Sequence, residues 1–102
     1  MIYNITPKEL IVLQEKEPKL KLIDLRTKPE TEEGMIPGAV WMDMSSREFM
    51  NDISALPKDE AYCLYCASGG RSSMAAQFME MQGFSRVYDL IGGMLSWEDR
   101  RP

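Results

Sequence analysis

Short apolar runs alternate with stretches of helical periodicity along the chain. The runs 2–5, 40–42, 61–65 and 86–90 and the half-apolar segment 19–26 predict five strands. Between them, the segments 7–17, 47–56 and 72–82 space their apolar side chains as the buried face of a helix does. A chain of 102 residues has the length of one domain, which we assign to residues 1–102. Alternating strands and helices predict an α/β fold with a parallel sheet covered by helices on both faces.

Residues with known capping preferences bound the predicted helices. Thr6 and Glu9 have the spacing of a capping box, which predicts the start of the first helix, and Pro18 ends it. Ser45 is a plausible cap for the helix 47–56. Gly83 closes the helix 72–82 as a left-handed residue. The element boundaries follow from these four signals.

A small loop between the strand 61–65 and the helix 72–82 carries the most distinctive chemistry. Cys66 opens this loop, Ser68 and two glycines follow, and Arg71 ends it. A thiolate at this position faces backbone N–H groups and the positive end of the next helix, and such thiolates have pKa values of about 3.5–7.5 instead of about 8.5. We therefore interpret Cys66 as an activated nucleophile; the alternative is a buried structural thiol. The predicted anion-binding residues are Ala67, Ser68, Gly69, Gly70 and Arg71.

Cys63, the second cysteine, precedes Cys66 by three residues on the same strand. An odd separation points the two side chains to opposite faces, and about 10 Å of extended chain separates them. That distance is too long for an unstrained disulfide. We interpret Cys63 as a core residue, with a resolving thiol for redox chemistry as the alternative.

Charge and composition exclude several classes of function. The net charge is −4, and the one basic cluster is Arg100-Arg101, so nucleic acid and anionic membranes are repelled on average. The chain contains no histidine, which excludes Cys-His catalysis, a Ser-His-Asp triad and histidine metal sites. We therefore expect no metal site. Backbone, helix dipole and Arg71 are left to activate Cys66.

The N-terminal sequence and the cysteine content bear on the compartment. Met1-Ile2-Tyr3-Asn4 lacks the basic and apolar regions of a signal peptide, and the apolar runs are too short for a membrane span. Two cysteines in an otherwise unstapled domain fit reducing conditions. We expect a cytoplasmic location and no membrane association.

Asp24 and Arg26 lie at the end of the strand 19–26, where open parallel sheets place ligands. A structural salt bridge or turn cap is an equally good interpretation of this pair. The pattern continues with a glutamate six residues after Asp24 and a G-x-I-P-G-A segment that begins ten residues after it. This spacing resembles the rhodanese family of sulfurtransferases. The matching positions are Asp24, Arg26, Glu30, Gly34, Ile36, Pro37, Gly38 and Ala39.

Two further stretches resemble the same family, and the resemblance covers nearly the whole chain. The six-residue loop from Cys66 to Arg71 is one residue shorter than the loop of cysteine phosphatases. The end of the chain shows the spacing V-x-x-L-x-G-G-x-x-x-W, with Gly92-Gly93 at the rim of the pocket; without the resemblance these glycines are simply a turn. Met35 replaces the family's histidine and Thr31 its usual aromatic residue, and we interpret Met35 as a packing change.

The resemblance implies a three-layer α/β/α fold with a five-stranded parallel sheet in the order 3-2-4-5-1. It also implies transfer of a sulfane sulfur through a Cys66 persulfide, from thiosulfate or another persulfide to a thiol, to cyanide or to an acceptor protein. No metal or organic cofactor is implied, and a monomer is expected. Supporting roles fall to Asp24, Arg26, Glu30, Gly92 and Gly93.

Two rival functions differ in class. One is a catalytically silent rhodanese-like module for protein binding or regulation, and an intact Cys66 and Arg71 argue against it. The other is phosphatase or arsenate reductase chemistry on the related fold, which the short loop disfavours.

Overall fold

The structure is a computed structural model that describes residues 1–100 and contains five strands and five helices in that range. The strands are β1 (Ile2–Ile5), β2 (Lys21–Asp24), β3 (Val40–Trp41), β4 (Ala61–Tyr65) and β5 (Arg86–Leu90). The helices are α1 (Pro7–Lys16), α2 (Lys28–Glu32), α3 (Phe49–Ser54), α4 (Gly70–Met81) and α5 (Gly93–Glu98).

All strand pairs in the sheet are parallel, in the order β1-β5-β4-β2-β3. Counted from the other edge, this is the order 3-2-4-5-1, so the expected topology is confirmed. β4 lies at the centre, and all five of its residues are buried. The loop that begins at Cys66 therefore leaves the sheet from its best-supported strand.

Two apolar clusters cover the two faces of the sheet. Tyr62 and Leu64 of β4 face the cluster that contains residues of α3 and α4, such as Ile53 and Met79. Cys63 and Tyr65 face the other cluster, which contains Leu10 of α1 and Met94 of α5. β4 thus alternates between two helical layers, as a strand buried on both sides must. This arrangement confirms the three-layer α/β/α fold.

The capping signals give the helix ends with one exception. In α1 the Glu9 N–H donates to Thr6 Oγ1 at 3.2 Å and the Thr6 N–H donates to Glu9 Oε1 at 2.8 Å, as the capping box predicts. Gly83 has a φ of 93° just after α4, also as predicted. Ser45, however, does not cap α3, which begins after Glu48. Its N–H and hydroxyl instead donate to Asp43 Oδ1 at 2.8 and 2.7 Å and form a turn before the helix.

Some predicted boundaries differ from the structure by one or two residues. The strand predicted over 19–26 is reduced to Lys21–Asp24, and the helix predicted over 47–56 to Phe49–Ser54. α4 begins two residues earlier than predicted, so Gly70 and Arg71 form its first turn. Among residues 1–100, no helix has the length and apolar character that crossing a bilayer requires.

Candidate active site

The sulfur of Cys66 lies in a ring of backbone donors. The Gly69 N–H donates to Sγ at 3.1 Å and the Ser72 N–H at 3.4 Å, and the Arg71 N–H also donates to it. Gly69 has a φ of 121°, a left-handed value that favours glycine and lets the loop curl around the sulfur. The sequence predicted donors within residues 67–71, and the structure adds Ser72 to them. Such a ring of donors can stabilise negative charge on the Cys66 sulfur.

Opposing effects set the pKa of Cys66, whose side chain is buried. Burial raises the pKa, but hydrogen bonds with the N–H and hydroxyl of Ser72 and with the N–H groups of Gly69 and Arg71 lower it further than burial raises it. The net effect is a lowered pKa. The first turn of α4 adds the positive end of a twelve-residue helix. Cys66 is therefore stabilised as a thiolate without any histidine.

Cys63 has the opposite environment. It is fully buried in the cluster that contains Leu10, on the opposite face of the sheet from α4. Burial raises the pKa of its thiol, and the nearby charge of Asp89 raises it further. Both cysteines are free thiols. The structure thus places Cys63 in the core, as predicted, and keeps it protonated.

Arg71 forms a bidentate ion pair with Glu30. Its Nη1 donates to Glu30 Oε1 at 2.8 Å and its Nη2 to Oε2 at 2.9 Å. These bonds, with that from the Thr27 N–H, lower the pKa of Glu30 to about 2. The Cys66 sulfur also contributes to raising the pKa of Arg71. The positive charge of Arg71, which the sequence analysis counts among the groups that activate Cys66, is therefore balanced by a carboxylate.

Asp24 and Arg26 form a buried hydrogen-bonded pair. Arg26 Nη2 donates to Asp24 Oδ2 at 2.8 Å and to the Gly34 carbonyl at 2.6 Å. The Tyr65 hydroxyl donates to Asp24 Oδ2 at 2.5 Å and accepts from the Ile36 N–H at 3.1 Å. Both Asp24 carboxylate oxygens and the Nε and Nη2 atoms of Arg26 have partners within the protein, so the structural interpretation of the pair fits best. Its effect is to hold the chain segment 34–36 against the ends of β2 and β4.

The edge strand β3 also contacts this region. Trp41 Nε1–H donates to the carbonyl oxygen of Arg26 at 2.7 Å, and the Met42 N–H donates to that of Asp24 at 2.9 Å. Trp41 nevertheless remains 41% exposed. The backbone of the Asp24–Arg26 turn is therefore fixed from the solvent side as well.

Gly92 and Gly93 fix the Cys66 loop from behind. The N–H groups of Met94 and Leu95, in the first turn of α5, donate to the carbonyls of Cys66 at 2.8 Å and Ala67 at 3.0 Å. A Cβ on Gly93 would lie 2.3 Å from the Cys66 carbonyl oxygen, and its φ of 56° is left-handed. This position therefore requires glycine so that α5 can approach the loop. The glycines support the loop backbone and do not touch the sulfur.

A cavity of about 350 Å³ lies beside the loop. Ala67 and Leu95 line it, together with the carboxylates of Glu30, Glu33 and Glu98. The guanidinium of Arg26, which also lines it, is already paired with Asp24. Glu30 is likewise paired with Arg71, so the carboxylates of Glu33 and Glu98 make the cavity acidic. No group of three or more potential metal-ligating side chains occurs in the part of the chain that the structure describes.

Sequence reasoning missed two residues behind Cys66. The Ser72 hydroxyl lies 3.6 Å from Cys66 Sγ and 2.7 Å from Asp89 Oδ1, and both Ser72 and Asp89 are buried. Burial raises the pKa of Asp89, although its hydrogen bond to Ser72 lowers it in part. The available signal was an acidic residue near the carboxyl end of an otherwise apolar strand. Asp89 pairs in register with Leu64, two residues before Cys66.

The profile of the Rhodanese-like domain family matches residues 6–100. A protein of Allochromatium vinosum named Sulfurtransferase is 40% identical over 76 residues, which are 74% of this chain and 69% of that protein.

Two solved structures share the fold. The rhodanese-related protein of Thermoplasma volcanium has a TM-score of 0.81 and 28% identity, with 98% of this chain and 95% of that chain covered. A rhodanese-like domain protein of Staphylococcus aureus has a TM-score of 0.82 and 29% identity, with 93% and 90% covered. With a family profile that spans nearly the whole sequence, the chain belongs to the Rhodanese-like domain family.

Proposed function

We propose that this protein is a sulfurtransferase that carries a sulfane sulfur as a persulfide on Cys66. The observation that carries the proposal is the ring of N–H donors from Gly69, Arg71 and Ser72 around the Cys66 sulfur. Such a ring stabilises the attacking thiolate and can stabilise negative charge on a sulfur bound to it. The name of the Allochromatium vinosum relative supports the same activity.

The transfer is a double displacement. The Cys66 thiolate attacks the outer sulfur of the donor; a Cys66 S–S bond forms as the donor's S–S bond breaks, and the leaving group departs with the electron pair. An acceptor thiolate or cyanide then attacks the outer sulfur of the persulfide and releases the Cys66 thiolate. Electrons balance over the two steps, so no separate oxidant or reductant is needed.

Thiosulfate is one donor of this chemical class, and the acidic cavity makes it a weak one. A dianion that approaches Ala67 passes the carboxylates of Glu33 and Glu98, and Arg71 is already paired. The persulfide of a thiol compound carries less negative charge than thiosulfate, so the acidic cavity repels it less. A reducing compartment such as the cytoplasm fits the two free cysteines.

Two other functions are weaker fits. A silent binding module would have no use for a thiol whose pKa is lowered by four hydrogen bonds. A phosphatase would have to place a tetrahedral phosphoryl group in a loop of six residues, from Cys66 to Arg71.

Mass spectrometry of the purified protein tests the proposal. After treatment with thiosulfate or an alkyl persulfide and removal of the donor, we expect the mass of one added sulfur on the peptide that contains Cys66. Cyanide should remove this mass and yield thiocyanate. Cys66→Ser should abolish loading, whereas the matched variant Cys63→Ser should retain it with some loss of stability. Sulfur on Cys63 would show that the nucleophile is misassigned.

Two further outcomes separate the rivals. No added mass with any donor, together with no release of phosphate from an aryl phosphate, would favour the binding module. Release of phosphate from an aryl phosphate by the wild type but not by Cys66→Ser would favour the phosphatase.

A further inference from the structure

Three buried side chains, beginning with Cys66, form a series of polar contacts that leads into the core. Cys66 Sγ lies 3.6 Å from Ser72 Oγ, which lies 2.7 Å from Asp89 Oδ1. All three side chains are buried, with exposed fractions of 1%, 0% and 8%. Burying the charge of a carboxylate in a protein core destabilises the fold unless hydrogen bonds or a counter-charge compensate for it. A buried carboxyl group is therefore unusual where it has no function. The transfer steps above give Asp89 no task.

The single hydrogen of the Ser72 hydroxyl allows two arrangements of this chain. If Asp89 is ionised, Ser72 donates to the carboxylate, and the Cys66 thiol can donate to Ser72 Oγ. If Asp89 is protonated, its O–H donates to Ser72 Oγ, and Ser72 donates to the Cys66 thiolate. The Gly69 carbonyl, 3.2 Å from Ser72 Oγ, is a competing acceptor for that hydrogen. The two arrangements have the same net charge and differ in which end carries it.

We propose that Cys66 and Asp89 share one proton through the Ser72 hydroxyl, so that Asp89 holds the proton while Cys66 is a thiolate. In the forward direction the S–H proton moves to Ser72 Oγ as the Ser72 O–H proton moves to Asp89 Oδ1. No proton leaves the protein, and the negative charge moves from the carboxylate to the sulfur. Asp89 is a positioning residue because it acts through Ser72 and does not touch the sulfur.

The raised pKa of Asp89 supports this arrangement, because burial makes its carboxyl a better proton acceptor than an exposed aspartate. The chain has no histidine to take the Cys66 proton. In the structure, the Ser72 hydroxyl is the single group between Asp89 and the Cys66 sulfur. When the acceptor has removed the sulfur, the proton can return to Cys66.

The other groups near Cys66 and Asp89 do not take part in the proton exchange between these two residues. In the sheet, Asp89 pairs with Leu64 of β4 and Asn4 of β1, and neither residue titrates. Cys63, which the charge of Asp89 reaches, has a pKa raised by burial and keeps its proton. On the side of Cys66, the charges of Arg71 and Glu30 oppose each other.

Thiolate titration distinguishes a shared proton from an isolated thiol. For the wild type we expect the ultraviolet thiolate absorbance to rise in two steps with pH, because coupled groups lose their protons in two macroscopic steps. Between the steps the thiolate fraction should be independent of pH. Asp89→Asn keeps the size of the side chain but cannot hold the proton, and it should give a single step. Ser72→Ala should also give one step, and Ser72→Thr should restore two.

The matched control is Asp52→Asn, which removes an exposed carboxylate on α3 and should leave the two steps unchanged. A wild-type curve with one step, superimposable on that of Asp89→Asn, would overturn the proposal. These titrations need no sulfur donor, so their outcome is independent of whether the protein transfers sulfur.

Infrared spectroscopy of the wild type gives an answer even if Asp89→Asn does not fold. Between the two steps, the fraction of protonated Asp89, read from its carboxylic acid band, should equal the fraction of Cys66 thiolate. Full ionisation of Asp89 at every pH where the thiolate has begun to form would overturn the shared proton.

Discussion

At the residue scale, Arg71 has two anionic neighbours, the Glu30 carboxylate and the Cys66 sulfur. The pair with Glu30 joins residues 41 positions apart in the sequence, so no local motif reveals it. Without the structure, Arg71 is an unpaired cation beside Cys66. With it, Arg71 is a group that positions Glu30 and the first turn of α4, and its charge is available to a substrate only in part.

Removal of the carboxylate from this pair should favour anionic donors. In Glu30→Gln the amide oxygen can still accept from the Thr27 N–H, which caps α2 at 2.9 Å, but Arg71 loses its counter-charge. One unopposed charge at about 4 Å is worth about 1 kcal/mol in water, so we expect the KM for thiosulfate to fall roughly fivefold. Because the pKa of Glu30 is about 2, the effect should be constant from pH 5 to 9. Steady-state kinetics of thiocyanate formation would measure it.

The control for this change is Glu15→Gln, an exposed carboxylate on α1 that should leave the KM unchanged. A KM that rises in Glu30→Gln would mean that the ion pair is needed to hold Arg71 in a productive position.

Asp89 also makes stability depend on pH. Its pKa is raised in the folded state, so the unfolded state loses this proton at lower pH than the folded state does. Ionised Asp89 therefore destabilises the fold above its folded-state pKa, and stability is regained as pH falls towards the ordinary value of 3.8. Asp89→Asn should be more stable than wild type at pH 8, with a smaller difference at pH 5. Urea denaturation at both values would test this, and equal differences would contradict it.

At the element scale, α4 and α5 both direct their N-terminal turns at the Cys66 loop. α4 supplies N–H donors to the sulfur, and α5 supplies N–H donors to the loop carbonyls. The donors from α4 belong to one continuous segment of strand, small loop and helix, so they could be predicted from the sequence. The second depends on Gly92-Gly93, whose backbone approaches the loop from the other end of the chain.

Two glycine variants separate these contributions. Gly93→Ala places a Cβ 2.3 Å from the Cys66 carbonyl oxygen at a left-handed φ. We therefore expect the free energy of unfolding to fall by about 1–3 kcal/mol and sulfur transfer to be lost. Gly70→Ala lies in the first turn of α4 with open space around its Cβ, so it should be tolerated and should raise the free energy of unfolding by up to about 1 kcal/mol through helix propensity. Urea denaturation and a transfer assay would compare them. Equal effects of both substitutions would argue against the close approach of α5.

Much of this architecture could be predicted from the sequence, and the exceptions have physical causes. Periodicity gave all five strands, and the capping box of Thr6 gave the start of α1, because these signals are local. The start of α4 was misjudged because Gly70 is a poor helix former that the loop geometry nevertheless recruits. Ser72 and Asp89 were missed because their contact joins a helix to a strand 17 residues later, and only tertiary packing creates it.

At the scale of the whole molecule, negative charge dominates. The net charge is −4, and the cavity beside the loop repeats this bias with the carboxylates of Glu33 and Glu98. A dianionic donor is therefore repelled at long range and again at the site. Long-range repulsion is screened by salt, whereas a local charge acts within a Debye length of about 8 Å at physiological ionic strength.

A new cation at the loop should separate local from global charge. Ala67→Arg adds a positive charge to the wall of the cavity, and we expect it to lower the KM for thiosulfate, most strongly at low salt. Ala55→Arg adds the same charge at an exposed position after α3 and should have a much smaller effect. Kinetics over a range of salt concentrations would measure both. Equal effects would show that net charge, not the cavity, controls donor choice.

The indole of Trp41 gives the protein a fluorophore that is attached to the site. Its N–H binds the carbonyl oxygen of Arg26, and the Arg26 side chain lines the cavity beside the loop. Indole emission depends on its hydrogen bond and its exposure to water, and Trp41 remains 41% exposed. Donor binding that shifts the Arg26 backbone can therefore be followed in real time without a label. The variant Trp41→Phe would leave Trp97 as the chain's remaining tryptophan and so assign the signal to β3 or to α5.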